Sequence, residues 1–411
     1  MKMICLLAAL QAGLLTAFLG AATSQVQAAG TFSEAITQGD LGISFRYRFE
    51  HVEQDNFDKN AMASTLRARL NLKTDDWNGF GLFVEFDYVA KIGWNDFNAA
   101  AGNTPDKTEY PVVADPKGPD LNQAYIQWEN GNNAIRGGRQ RINYENARFV
   151  GNVGWRQNEQ TYEAASYRFK NKAGVDLQFA YVDQVNRIFG RDVPAGTNNN
   201  NTWLANLARD WKDVGKLTGY YYDIDNMDVV AFSTRTYGVR FAGSRKLTGT
   251  TIGYAAEFAI QDDVHNNPVD YSADYCRFDL SLALSKITPY IGYESLGGDD
   301  TRSGAAFRTP LATLHAFNGW ADKFLATPDA GLNDLFVGLK GKLGKWSWNV
   351  IYHDFEAESG DESFGRELDA ALSRKFAEHY SVLFRGAWFI GDASSPYDDT
   401  TKLWVQMTAD F

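Results

Sequence analysis

An all-β, transmembrane antiparallel up-and-down β-barrel of about eighteen strands is the fold this sequence predicts, on three observations. Apolar and polar residues alternate with a period of two in segment after segment, and in a strand that period places alternate side chains on opposite faces. The connections between these segments alternate long and short along the whole chain, as in barrels with long extracellular loops and short periplasmic turns. The first thirty residues read as a secretory signal: Lys2, an apolar run from Ile4 to Gly20, and a small-residue site at Val26-Gln27-Ala28. Residues 1–29 are therefore expected to leave, and residues 30–411 to form a single barrel domain.

The first strand, near 41–51, places Leu41, Ile43, Phe45, Tyr47 and Phe49 opposite Ser44, Arg46, Arg48 and Glu50. Near 65–73, Leu66, Ala68, Leu70 and Leu72 oppose Arg67, Arg69, Asn71 and Lys73. After a turn at Asp75 to Gly79, Leu82, Val84, Phe86 and Tyr88 oppose Glu85 and Asp87. The fourth strand, near 121–129, sets Ala124, Ile126 and Trp128 against Gln123, Tyr125, Gln127 and Glu129. A turn at Asn130-Gly131-Asn132 opens a stretch with six arginines between Asn133 and Lys170, read as strands near 134–142 and 159–169. Twelve further segments follow, the last being 401–411, where Leu403, Val405, Met407, Ala409 and Phe411 share a face. Asn198 to Asn201 read as a flexible loop tip. The long segment 295–332 is expected to fold inward as a constriction or lid.

Composition narrows the alternatives. The chain has 411 residues and a formal charge of −11, or −12 without Lys2, which argues against nucleic acid as a partner. No run after the signal is long and apolar enough for a membrane helix. Cys5 belongs to the signal, so Cys276 is left without a disulfide partner and reads as a small apolar filler on the lipid face. In hydrocarbon every backbone group must be paired, so the first strand is expected to meet the last. With an even strand number both termini fall on the short-turn, periplasmic side of a bacterial outer membrane. The terminal Phe411 resembles the signal by which such proteins are handed to the barrel assembly machinery.

If apolar faces meet lipid, the other register lines the lumen. It holds Arg46, Arg48, Arg67, Arg69, Arg139, Arg141, Arg168, Arg240, Arg277 and Arg385, with Glu85, Asp87 and Glu129 among the acids. Arginine's planar fork grips carboxylates by two parallel hydrogen bonds and stays charged when partly desolvated. Such a wall favours anionic solutes, acidic sugars among them, although arginines facing acids also simply brace a wall. The excess of arginine on the first, second and fifth strands singles out Arg46, Arg67, Arg69, Arg139 and Arg141. Arg136 and Arg366 fall on the other face and read as interface anchors.

Other chemistries have weaker signals. His353, beside Asp354, is the best histidine for a barrel hydrolase, yet no neighbouring serine stands out, and a solvated lumen histidine is the simpler reading. Asp223, Asp225, Asn226, Asp262 and Asp263 carry oxygen ligands but no calcium-loop spacing. No cofactor or metal is expected. Trp94, Trp128, Trp203, Trp211, Trp388 and Trp404 read mainly as interfacial girdle, with sugar stacking by Trp155 or Trp320 the lesser alternative.

The segments Gly138 to Arg141, Arg148 to Gln157 and Leu314 to Leu325, with Gly331-Leu332, resemble the alginate export family of outer-membrane porins. The resemblance runs in register from about residue 39 to the C-terminus. It implies a monomeric barrel whose arginine-rich constriction passes a polyuronate such as alginate outward, with Arg67, Arg139, Arg141 and Arg168, and also Arg46, at the matching positions. An anionic oligo- or polysaccharide, outer-membrane lipid and periplasmic secretion components would be its partners. The alternative within transport is a porin for nutrients or small organic anions; a barrel hydrolase or a secreted soluble β protein are the readings from other classes.

Overall fold

The structure, a computed structural model, describes residues 30–393 and 395–411; the signal expected at 1–29 lies outside them. A short helix, α1 (Phe32–Thr37), precedes eighteen strands: β1 (Asp40–Gln54), β2 (Ala61–Lys73), β3 (Phe80–Asp96), β4 (Gly118–Asn130), β5 (Asn133–Gln140), β6 (Thr161–Lys170), β7 (Val175–Asn186), β8 (Thr197–Trp211), β9 (Gly215–Ile224), β10 (Thr234–Leu247), β11 (Thr250–Asp263), β12 (Ser272–Ala283), β13 (Ile287–Leu296), β14 (Leu332–Leu343), β15 (Trp346–Glu356), β16 (Ser363–Phe376), β17 (Tyr380–Gly391) and β18 (Thr400–Asp410). A capping box fixes the start of α1, Thr31 accepting from the Glu34 N–H and Glu34 from the Thr31 N–H. Each strand pairs antiparallel with its sequence neighbours, and β1 pairs with β18 from Ser44↔Asp410 to Gln54↔Thr400. The sheet is thus closed, which leaves no edge to satisfy in hydrocarbon.

Burial follows the alternation. Leu41, Leu70, Phe86, Ile126, Leu207, Val239, Leu280, Val337 and Met407 are exposed on the outer wall, while Arg48, Glu50, Arg67, Glu85, Asp87, Glu294, Asp334 and Asp369 are buried inside. A soluble sandwich reverses that arrangement; a lipid-facing belt around a polar lumen produces it. The connections at one end run to 97–117, 141–160 and 297–331, while those at the other end stay at six residues or fewer. The N-terminal start of β1 and the end of β18 lie on the short-turn end, and the Phe411 backbone exchanges hydrogen bonds with Ile43 there.

Two local expectations fail. Asn198 to Asn201 belong to β8, not to a free tip; Asn198 and Asn200 are buried, and Asn200 bridges to Asn226, so their amides serve as wall. Arg136 lies on the lumen side: it opposes Gln127 and Ser166, and its guanidinium sits 5.0 Å from the Tyr125 ring centre. Gly138, whose φ of +120° breaks strict alternation in β5, lets both lie on the lumen side: Arg136 over the Tyr125 ring and the buried Arg139 on Glu163. Any Cβ there would lie 2.4 Å from the Ala124 carbonyl oxygen.

Candidate functional site

The lumen is narrowed from within by two long connections, 141–160 and 297–331. They meet each other before they meet the wall: Val150 bridges Leu311, the Gly151 N–H donates to the Leu311 carbonyl (2.8 Å), and the Thr313 N–H to that of Ala147 (3.0 Å). Phe149 packs 5.0 Å from Tyr275 and 5.7 Å from Phe307, and Phe324 packs 4.5 Å from Phe355. One apolar cluster therefore joins loop residues to Val182, Leu204, Tyr222, Phe364 and Phe389 on opposite parts of the wall. Each fully buried aromatic or aliphatic side chain there contributes roughly 1.5–3 kcal/mol. The expectation that the segment around 295–332 folds inward holds, and 141–160 does so with it.

Two loop carboxylates organise the polar contacts. Glu159 sits 2.8 Å from Arg69 Nη1 and 3.7 Å from Arg67 Nη1, and accepts from Arg141 Nε. Asp322 accepts from Arg156 Nη2 (3.0 Å), Lys402 Nζ (2.8 Å) and His315 Nδ1 (2.6 Å). Arg156 in turn reaches Glu50 at 3.1 Å, so it ties both loops to β1. Burial pushes the Glu159 carboxyl up, but Arg69 and Arg141 outweigh it and hold the group well below the usual carboxylate range. Burial lowers the His315 imidazole to about 3, against the pull of Asp322. The neutral ring then donates from Nδ1 to Asp322 and accepts at Nε2 from Arg385 (3.0 Å). Arg385 also lies 3.3 Å from the Trp320 ring centre and 4.6 Å from that of Trp155, which itself stacks on His315.

The predicted lumen residues fall into these networks. Arg46 donates to Gln157 Oε1 (3.0 Å) and to the Gly154 and Arg156 carbonyls. Arg48 donates to Gln406 (2.6 Å) and lies 3.6 Å from Asp115. Arg69 grips Asp87 by two bonds, and Arg141, the first residue past β5, reaches Glu85 at 2.5 Å. Arg139 bonds Glu163 and the Leu121 carbonyl, Arg240 bonds Glu257, and Arg277 bonds Asp279 and Glu294. Arg168 pairs with Asp176 while half-exposed near the short turns, and Glu129 is exposed there too. Every one of the ten arginines has a polar partner. The excess of arginine on three strands is thus met by loop residues, Glu159 and Asp115 above all, which sequence reasoning passed over because nothing local announces an acid that docks on strands far along the chain.

Two further readings are corrected. His353 is buried, not solvated, and its partners are Asp334 (2.8 Å) and Asp369 (3.8 Å), not Asp354. Among the described residues no serine hydroxyl pairs with it. Trp404 lies inside the lumen at 1% exposure, whereas Trp94, Trp203, Trp211 and Trp388 are exposed on the wall. Asp223 is taken up by Arg235 (2.7 Å) and His265 (2.5 Å), and among the described residues no group of three or more His, Cys, Asp or Glu is placed to hold a metal.

The family model for alginate export matches residues 37–269, more than half of the chain. The chain belongs to the alginate export family. No curated protein matches it. Among solved structures, OccAB2 of Acinetobacter baumannii is similar at a TM-score of 0.72 and 14% identity, over 92% of this chain and 99% of that one. OccAB1 of the same organism gives 0.71 and 11%, over 95% and 99%. OpdK of Pseudomonas aeruginosa, solved with vanillate, gives 0.70 and 12%, over 92% and 100%. At such identities the likeness is one of fold, and it gives this member of the alginate export family the architecture of an outer-membrane porin over nearly its whole length.

Proposed function

We propose that this protein is an outer-membrane channel for small organic anions, including mono- and short oligo-uronates. The observation that carries this reading is the packing of 297–331 on 141–160 inside the barrel, with Arg67, Arg69 and Arg141 gathered around the loop carboxylate of Glu159. Arg69 and Arg141 keep 10% and 25% of their side-chain surface exposed while held by acids, so they present fixed positive groups without collapsing onto one another. The crystal structure of OpdK with vanillate, a small carboxylate, supports the same solute class. Both termini would face the periplasm, with Phe411 delivered to the assembly machinery there. Family membership favours a second reading, passage of a polyuronate, which requires the packed loops to part.

Single-channel recording in planar bilayers tests this. Under a salt gradient the reversal potential is expected on the anion side, with glucuronate reducing the chloride current. A cation-selective or closed barrel would overturn the reading. Passage of long uronate polymers through the unaltered protein would favour export over small-solute uptake.

A further inference from the structure

The arginines of the constriction are matched, but one lysine cluster at the short-turn mouth is not. There β13, β14, β15 and β16 line a cavity of about 640 Å³ that contains Lys286, Lys340 and Lys342. Its register is lumenal, because Lys340 lies two and four residues beyond Gly338 and Phe336 on the face that carries Asp334, and it opposes Thr288 and Asn349. No carboxylate lines the cavity, and none of the three ammonium groups makes an ion pair among the described residues. Hydroxyl and amide groups of Thr288, Asn349 and Ser373 alternate with them.

One of those groups is fixed in place. Tyr290 Oη donates to Asn349 Oδ1 at 2.8 Å, which orients the amide and leaves its Nδ2 donors without a partner among the described residues. Tyr290 can lie flat against the wall because its cross-strand neighbour is Gly338; a Cβ there would stand 2.2 Å from Tyr290 Cζ. The Lys340 ammonium sits 5.3 Å from the same ring. Three unmatched cations, oriented amide donors and hydroxyls suit a ligand carrying carboxylates and hydroxyls together. A cavity of this size holds a small-molecule ligand of a few rings.

We propose that this lysine-lined cavity at the short-turn mouth is a binding site for acidic sugars of two or three residues, with Lys340 and Lys342 on the carboxylates and Asn349 and Ser373 on hydroxyls. The inference rests on the channel reading for its solute class and adds to it a second station, distinct from the arginine band. Titration calorimetry of the detergent-folded barrel with trigalacturonate, and with neutral maltotriose, tests it. Trigalacturonate is expected to bind, more weakly as salt is raised, and maltotriose not. The K340Q/K342Q double variant should lose at least tenfold in affinity, K340R/K342R should keep it, and both should retain the heat-sensitive gel mobility of a closed barrel. Unchanged affinity in K340Q/K342Q, equal binding of maltotriose, or equally tight binding of inorganic phosphate overturns the proposal. An anion-selective channel that keeps its affinity in K340Q/K342Q removes this site and leaves the channel reading intact. A cation-selective barrel whose affinity depends on the lysines does the reverse.

Discussion

Glu159 shows how one side chain sets the charge of the passage. It is the shared counter-ion of Arg67, Arg69 and Arg141, and of these Arg67 has no closer acid. Glu159→Gln therefore adds a net positive charge at the narrowing. The reversal potential is expected to move further toward the chloride limit, and block by trigalacturonate to tighten by about tenfold, or about 1.4 kcal/mol; an unchanged potential would remove this residue from the passage. Because its folded pKa is depressed, the stability Glu159 supplies is complete above the ordinary carboxylate value of about 4.3 and is lost as pH falls below it. The gap in urea midpoint between the unaltered protein and Glu159→Gln should be constant from about pH 7 to 5 and shrink below about pH 4. Arg156 is the structural counterpart. Truncating it to Ala leaves Glu50 and Asp322 buried without their shared cation, and a loss of roughly 3–5 kcal/mol in unfolding free energy is expected.

The loops act as elements in their own right. The 297–331 segment is held by polar contacts at several points of the wall: the Trp320 and Ala321 N–H groups donate to Glu367, Asn318 donates to Glu294 and Asp334, and Asp322 bonds Lys402. Phe307, Leu311 and Phe324 add the apolar share. Replacing residues 300–328 by a short Gly-Ser linker removes this packing while leaving the strand ladder whole, since the β13–β14 register needs none of it. Single-channel conductance should rise several-fold and anion preference fall, as Glu294, Glu367 and Asp369 lose loop partners and face the lumen. A conductance equal to that of the full chain would show that the loop does not border the path.

For the molecule as a whole, closure follows from the ladder, and the proposed orientation is a matter of connection length. The β1–β18 seam is continuous over eleven pairs, and every connection at the end where both termini sit has six residues or fewer. In a Cys276→Ser background, an impermeant maleimide added to intact cells should label Asp58→Cys in the loop after β1. It should label Glu378→Cys, in the turn after β16, only once the envelope is broken. The opposite pattern would invert the proposed orientation.

Strand number, face and barrel class were legible in the sequence because a half-lipid, half-wet strand imposes a period of two that no other environment repeats through eighteen segments. Arg46, Arg67 and Arg69 could be placed inward by that period alone. What it could not reach was their charge state in company: Glu159 lies about ninety residues from Arg67 and Arg69, and Asp322 is 166 residues from Arg156. The exceptions within strands had local causes that alternation cannot express, such as the positive φ of Gly138, across which Arg136 and the buried Arg139 share the lumen side. Periodicity is a property of neighbours in the chain, so the sequence determined the wall; which arginines are matched and which lysines are left bare depends on where two long loops land inside it, and only the tertiary structure decided that.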